Sequence, residues 1–384
     1  MSGSRIEMCG TCRGEIAGVE PLDFSRLKVY PLATRKSLSR VHDILIDPDS
    51  PPKACDEHNL ALIKSAAERM IAARKRGASI MLIYGAHLLR NGTARIMERL
   101  MARGLVTHLA TNGAGTIHDW EFSWFGESCE SVRMNVAEGT FGAWHETALH
   151  IHLALLAGGV RREGYGKSLG RMIIEDGVTL PTIAELESLI RAEPGHPLTA
   201  ARADLLRAMQ VHGLREGRTE VTHRWKEASI VAQAFKHGVN MTVHPGIGYD
   251  IIANHPIFNG AVIGRGAETD FKLFGASVDG LDGGVVLSVG SAIMGPQVFE
   301  KSLSCVNNLR MQDGRGTVSD HSFFVVDLQD GGRWDWSQGE PPKTNPAYYL
   351  RFCKSFARMG GTMQYLQCDN ALFLHNLYHQ LRDA

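Results

Sequence analysis

An excess of either charge is the first thing this sequence lacks: 41 Lys and Arg stand against 41 Asp and Glu in 384 residues, a formal net charge of zero. A balanced chain gives no electrostatic reason to bind nucleic acid or an anionic membrane. No stretch approaches the roughly 18 apolar residues of a membrane span. The start, MSGSRIEMCG, also lacks the charged-then-apolar order of a signal peptide. The expectation is a soluble, cytoplasmic protein. Cysteine is scarce and unorganised, with seven at 9, 12, 55, 129, 305, 353 and 368. That odd count without framework spacing suits free thiols in a reducing compartment. Cys9 and Cys12 form the only close pair, and Cys55 with His58 would complete a Cys3His zinc set across the gap. The reading preferred over zinc is unpaired thiols in an N-terminal arm. Internal repeats and low-complexity tracts are absent too.

What is present is alternation. Residues 1–55 are rich in Arg, Lys and Pro with little periodicity, and are expected to form an arm or subunit-contact segment. From residue 56 to the end the pattern is regular, as in one α/β nucleotide-binding domain with a helical insert near 182–213. Glu57 to Arg76 reads as an amphipathic helix. The runs at Ile80 to Tyr84, Leu105 to Ala110, Asn240 to His244, Gly284 to Val289, Phe323 to Leu328 and Met363 to Gln367 read as strands separated by helices. Such alternation implies a doubly wound, mostly parallel, Rossmann-like sheet.

The most informative stretch is SIMLIYGAHLLRNGTARIMERLMARGLVTHLATNGAGTIHDWE, from Ser79 to Glu121. It reads as strand, helix, strand and glycine turn, a parallel crossover unit. Ligands collect where the strands of such units end, because glycines let the backbone approach a phosphate and the next helix offers unpaired N–H groups. A nucleotide is therefore expected at Gly85, Ala86 and His87, and at Thr111, Asn112, Gly113, Ala114 and Gly115. The glycines do not make an ordinary fingerprint: TNGAGT lacks the GxGxxG spacing, and Gly164, Gly166 and Gly170 are one residue too far apart. The strand ends are otherwise polar, with His118, Asp119 and Glu121 after one strand, His244, Asp250, Asn254 and His255 after another, and Asp369 and Asn370 after the last.

The order of these motifs resembles the deoxyhypusine synthases, over roughly Ser79 to Leu377. IYGAHLLRNG and HLATNGAGTIHDWE stand where that family has its small-residue turn and its Thr-Thr-Ala-Gly-Gly type loop. HGVNMTVHPGIGYDIIANHP and LQCDNALFLHNL are similar to two later segments, matched by Asp250 and Asp369. The resemblance implies a tetrameric, NAD-binding fold with sites between subunits, and chemistry on an amine that passes through an enzyme lysine. The departures are two. A Ser-Trp-Gly-Lys stretch is absent, its nearest counterpart being Arg351, Phe352, Cys353 and Lys354, and the strand GGVVLSVGSAIMGP ends without a triple glycine and histidine pair. The amine is therefore expected to differ from the family's usual one. An NAD-recycling cyclodeaminase-type reaction and a non-catalytic nucleotide- or zinc-binding assembly role stand as alternatives.

Within that frame each residue type has a task. Asp250 and Asp119 would anchor cationic groups, as would Asp330 and Asp335, beside the ring faces of Trp334 and Trp336. His244 or His255 would act as general base. Lys354 would carry covalent chemistry if burial lowered its pKa, against the plainer alternative of a solvated helical lysine.

Overall fold

The computed structural model describes residues 20–383. Six strands form one wholly parallel sheet: β1 (Ile80–Tyr84), β2 (His108–Asn112), β3 (Asn240–His244), β4 (Val285–Val289), β5 (Ser322–Asp327) and β6 (Thr362–Gln367). Their order across the sheet is β3-β2-β1-β4-β5-β6. The chain winds outward from β1 to one edge, returns to the middle, and winds outward to the other edge. Such sheets bind dinucleotides where the winding reverses, here between β1 and β4. The α/β, doubly wound reading of the sequence thus holds; nothing in the sheet marks it as the deoxyhypusine synthase type.

The central strands β1 and β4 are buried throughout because both faces are covered, whereas the edge strand β6 is only partly buried. Ile80, Leu82 and Tyr84 enter one core, while Met81 and Ile83 enter a second core on the opposite face. The first core takes in the Glu57–Arg76 and Asn370–Leu381 helices; the second takes in Phe274, Phe299 and Phe356. Among the described residues no helix is long and apolar enough to cross a membrane.

Two features differ from the sequence reading. The glycine turn after β2 is no loop, for the Gly113–Phe125 helix begins directly at the strand end, capped by Asn112, whose Oδ1 accepts from Gly115 N at 2.9 Å. Glycine is a poor helix former, yet here no larger residue fits. A Cβ on Gly113 would stand 2.0 Å from Asp250 Oδ2, and one on Gly115 would stand 2.2 Å from Thr111 Oγ1. The described part of the expected arm also packs into the body. Leu32 and Val41 are buried, Tyr30 bridges to Trp144, and Ser39–Arg40 pairs antiparallel with Glu127–Ser128. Cys9 and Cys12 lie outside the described residues. Cys55 is a free thiol, and no group of ligating side chains able to hold a metal occurs among the described residues.

Candidate functional site

At the reversal point the backbones of two glycine turns meet. Gly85 N donates to Val289 O at 3.2 Å, and a Cβ on Gly85 would fall 2.1 Å from the carbonyl oxygen of Gly290. Gly290 itself has φ +62°, which glycine adopts without strain, and a Cβ there would touch only Asn370 Nδ2, at 3.5 Å. The turn opens the Met294–Gln312 helix, whose Gly295 N–H donates to Ser291 Oγ at 3.0 Å while the N-cap residue Ile293 offers no side-chain acceptor. Asn91 closes one flank by donating to Asp369 at 3.2 Å and to Asn370. These groups suit a dinucleotide's phosphates: open glycine backbone and a helix start of which Ser291 occupies only one N–H.

The Asn112–Thr116 turn is different, because an internal anion already occupies it. Asp250 reaches over from the loop after β3 and accepts from Gly246 N at 2.7 Å and from Ala114 N. Burial pushes its carboxyl up to about 6 against an ordinary 3.8, although these hydrogen bonds pull the other way. Its Oδ1 is buried and has no hydrogen-bond partner.

Asp250 lines a cavity of about 250 Å³, between the Gly113–Phe125 helix, the 249–251 loop and residues Arg35, Arg90, Cys129 and Glu130. Glu121, from the same helix, organises the far wall. It accepts from Arg35 Nη1 at 2.7 Å, from Thr147 Oγ1 at 2.9 Å and from Ser128 Oγ at 2.5 Å. Arg35 is itself buried, with its guanidinium over Trp144 and its Nη2 unpartnered. A buried charged atom without a partner is costly, and two of opposite sign on residues lining one cavity suit a ligand of both signs.

The same network fixes a histidine. Ser128 gives its proton to Glu121, so its oxygen accepts from His118 Nδ1 at 2.8 Å. The lone pair of His118 is therefore on Nε2. Burial lowers this imidazole to about 4 and keeps it neutral. Beside it Cys129 holds φ +70°, unusual for a side-chain-bearing residue, with Sγ 3.9 Å from His118 Nδ1. Burial pushes the Cys129 thiol up, so it stays protonated.

Of the residues named from the sequence, Asn112, Gly113, Ala114 and Asp250 meet at this helix start, and Gly85, Asp369 and Asn370 belong to the reversal point with Asn91. Ala86 and His87 open the short His87–Arg90 helix, His87 being exposed. Thr111 is buried and spends its hydroxyl on Tyr84 O at 3.0 Å. Asp119 faces away, accepting from Ser229 Oγ, from Ile230 N at 2.7 Å and from Val231 N at 3.2 Å, and so caps the Ile230–His237 helix. Asp369 likewise caps the Asn370–Leu381 helix.

The two histidines named as bases have other partners. His244 is buried against Phe274 and reaches Thr242 Oγ1 at 3.2 Å, and burial lowers it to about 4. His255 Nδ1 accepts from Ile257 N at 3.0 Å, its Nε2 lies 3.2 Å from His145, and burial lowers it to about 3. Lys354 pairs with Glu340 at 3.0 Å and lies over the Tyr348 ring. Asp330 and Asp335 cap turns of their own loop, and Trp336 is core. Arg35, Arg90, Cys129 and Glu130 were not singled out from the sequence. Arg35 meets Glu121 across 86 positions and leaves no local signal.

No protein-family model matches the chain, and no curated protein matches it. Solved structures similar to it include ArgZ, an arginine dihydrolase from the ornithine-ammonia cycle in cyanobacteria, at 14% identity and a TM-score of 0.38 over 84% of this chain and 33% of that one. The ternary complex of AgrE with ornithine and NAD+ gives 14% identity and 0.42 over 86% and 34%. A conserved LOR/SDH protein from Methanococcus maripaludis S2 gives 14% and 0.42 over 89% and 73%. The chain spans about a third of the length of ArgZ and AgrE. These proteins are not deoxyhypusine synthases, and the resemblance drawn from the sequence motifs is corrected accordingly. The Asn112–Thr116 segment that carried much of it is a capped helix start rather than an open loop.

Proposed function

We propose that this chain is an NAD-dependent enzyme acting at a carbon–nitrogen bond of a small molecule that carries both an ammonium and a carboxylate. The observation that carries this reading is the pair of buried, unpartnered atoms of opposite sign, Arg35 Nη2 and Asp250 Oδ1, in residues lining one cavity at the carboxyl rim of the sheet. Arg35 would hold the carboxylate, with Arg90 adding positive charge, and Asp250 would hold the ammonium. His118 Nε2, bare and neutral, would take the proton that the reacting amine must lose before its carbon can give up hydride. The Gly85, Gly290 and Met294 turns would hold the dinucleotide, which when bound supplies the hydride acceptor.

Between the two kinds of C–N chemistry, one in which NAD is regenerated and ammonia leaves is favoured over alkyl transfer through a lysine. No lysine lines this cavity, and the Lys354 ammonium is engaged by Glu340 and Tyr348. The test is to incubate the protein with NAD and a panel of basic amino acids, and to measure ammonia and reduced nicotinamide together. Ammonia without net reduction supports the reading; net reduction with each amine consumed would replace it with a simple dehydrogenase. No turnover, and no NAD bound in a calorimetric titration, would remove it.

A further inference from the structure

A second cavity, of about 650 Å³, shares no residue with the first. It lies between the His145–Gly159 helix, the Thr199–His212 helix and the segment 256–259 that leads into the Gly260–Asp279 helix. His152 is in its wall and is 1% exposed. Its Nδ1 lies 2.8 Å from Ala148 O, and since a carbonyl only accepts, Nδ1 carries the proton and Nε2 the lone pair. Burial keeps the ring neutral, near 4, and Nε2 is buried without a partner. A buried lone pair calls for a donor.

The wall also carries Arg207, Asp204 and His212. Arg207 is exposed at the cavity, and the 20-residue Gly260–Asp279 helix starts there, its Ala261 and Val262 N–H groups held by Asn259 Oδ1 so that only the positive end of its dipole adds to the arginine. Asp204 does not cancel Arg207, because its carboxylate accepts from Arg265 at 2.7 Å and from Asn259 at 3.0 Å. The histidine asks for a donor while the arginine and the helix end ask for an anion, and one kind of ligand meets both demands.

We infer that this cavity binds a small oxyanion carrying its own hydroxyl, of the hydrogen-phosphate or hydroxycarboxylate kind, with its charged oxygens toward Arg207 and the Gly260 helix start and its hydroxyl donating to His152 Nε2. Nothing in the first cavity depends on it. Sulfate is the discriminating probe, since it has the shape of phosphate but no proton to donate near neutral pH.

The experiment is calorimetric titration of the full chain with inorganic phosphate, L-malate and sulfate at matched ionic strength. Phosphate or malate should bind about tenfold more tightly than sulfate, from the penalty of facing acceptor oxygens against a buried lone pair. The tighter of the two tells whether the natural ligand is a phosphate or a carboxylate. Arg207→Gln, at an exposed site that leaves the fold intact, should weaken the preferred anion about tenfold. His152→Leu should bind phosphate and sulfate alike. Sulfate binding as tightly as both phosphate and malate, no binding of any of the three, or affinities untouched by Arg207→Gln would each overturn the assignment.

Discussion

Asp119 and Asp250 are both buried carboxylates set against the first turn of a helix, and burial raises both, to about 7 and about 6. The difference lies in their spare valence. Asp119 spends its oxygens on a serine hydroxyl and two backbone N–H groups, so it is a strut between the Gly113–Phe125 and Ile230–His237 helices. Asp250 takes Gly246 and Ala114 N–H groups but leaves Oδ1 without a hydrogen-bond partner, and it lines a cavity with Arg35, whose Nη2 is also unpartnered. A raised pKa or a buried acid therefore does not by itself locate a site. An acid whose partners do not exhaust it, beside a second unexhausted charge, does.

Removing each carboxylate tests that contrast most strongly. Asp119→Ala leaves one hydroxyl and two N–H groups buried without an acceptor and should cost about 3 kcal/mol or more of stability. Asp250→Asn keeps an acceptor for Gly246 and should cost less than about 1 kcal/mol, while lowering affinity for an ammonium-bearing ligand by about a hundredfold. Equal losses of stability in denaturant titrations would erase the distinction between strut and site.

Gly113 sharpens it further. Its missing Cβ is the space that Asp250 fills, so Gly113→Ala should push the carboxylate aside at a cost of about 1–3 kcal/mol. Amine binding should fall and NAD binding should persist, since the proposed phosphate site is at Gly290. Gly275, also helical but with open space around its Cβ, is the control, and Gly275→Ala should be neutral or stabilising by up to about 1 kcal/mol. Loss of NAD binding in Gly113→Ala would return the phosphates to the Asn112–Thr116 turn.

Much of this architecture was legible in advance because both faces of the sheet are covered at its centre, which makes β1, β4 and most of β5 apolar runs that stand out between helical stretches. What could not be read was the pairing of β4 with β1, which alone locates the reversal point: no local pattern says which strand lies beside which. The helix beginning at Gly113 was hidden by its own glycines, which read as a turn until Asp250 and Thr111 are seen filling the space above them. Asp250 was visible as a polar residue after a strand. Arg35 was not, since a buried arginine in an aperiodic segment is defined only by the distant glutamate that neutralises it.

Titration separates the two roles of Asp250. Its folded pKa, about 6, lies above the ordinary 3.8, so its contribution to stability is fully present below pH ~4 and is lost as pH rises through about 6. Relative to Asp250→Asn, the unaltered protein should lose about 3 kcal/mol across that window. Affinity for an ammonium ligand should move the other way, rising as the carboxylate ionises. Parallel rather than opposed profiles would mean that Asp250 does not meet the ligand's charge.

Lys354 completes the series with the smallest effect. Its ammonium lies between Glu340 and the Tyr348 ring, and Glu340 is shared with Arg358, so one cation can be lost while the acid keeps another. An exposed acid of this kind holds its partner only loosely. Lys354→Ala should bind NAD as before and turn over within about twofold of the unaltered protein. If it instead abolished turnover with NAD affinity intact, and borohydride trapped an adduct only when Lys354 was present, covalent chemistry would move to this helix, and the Arg35–Asp250 cavity would be left as a binding feature alone.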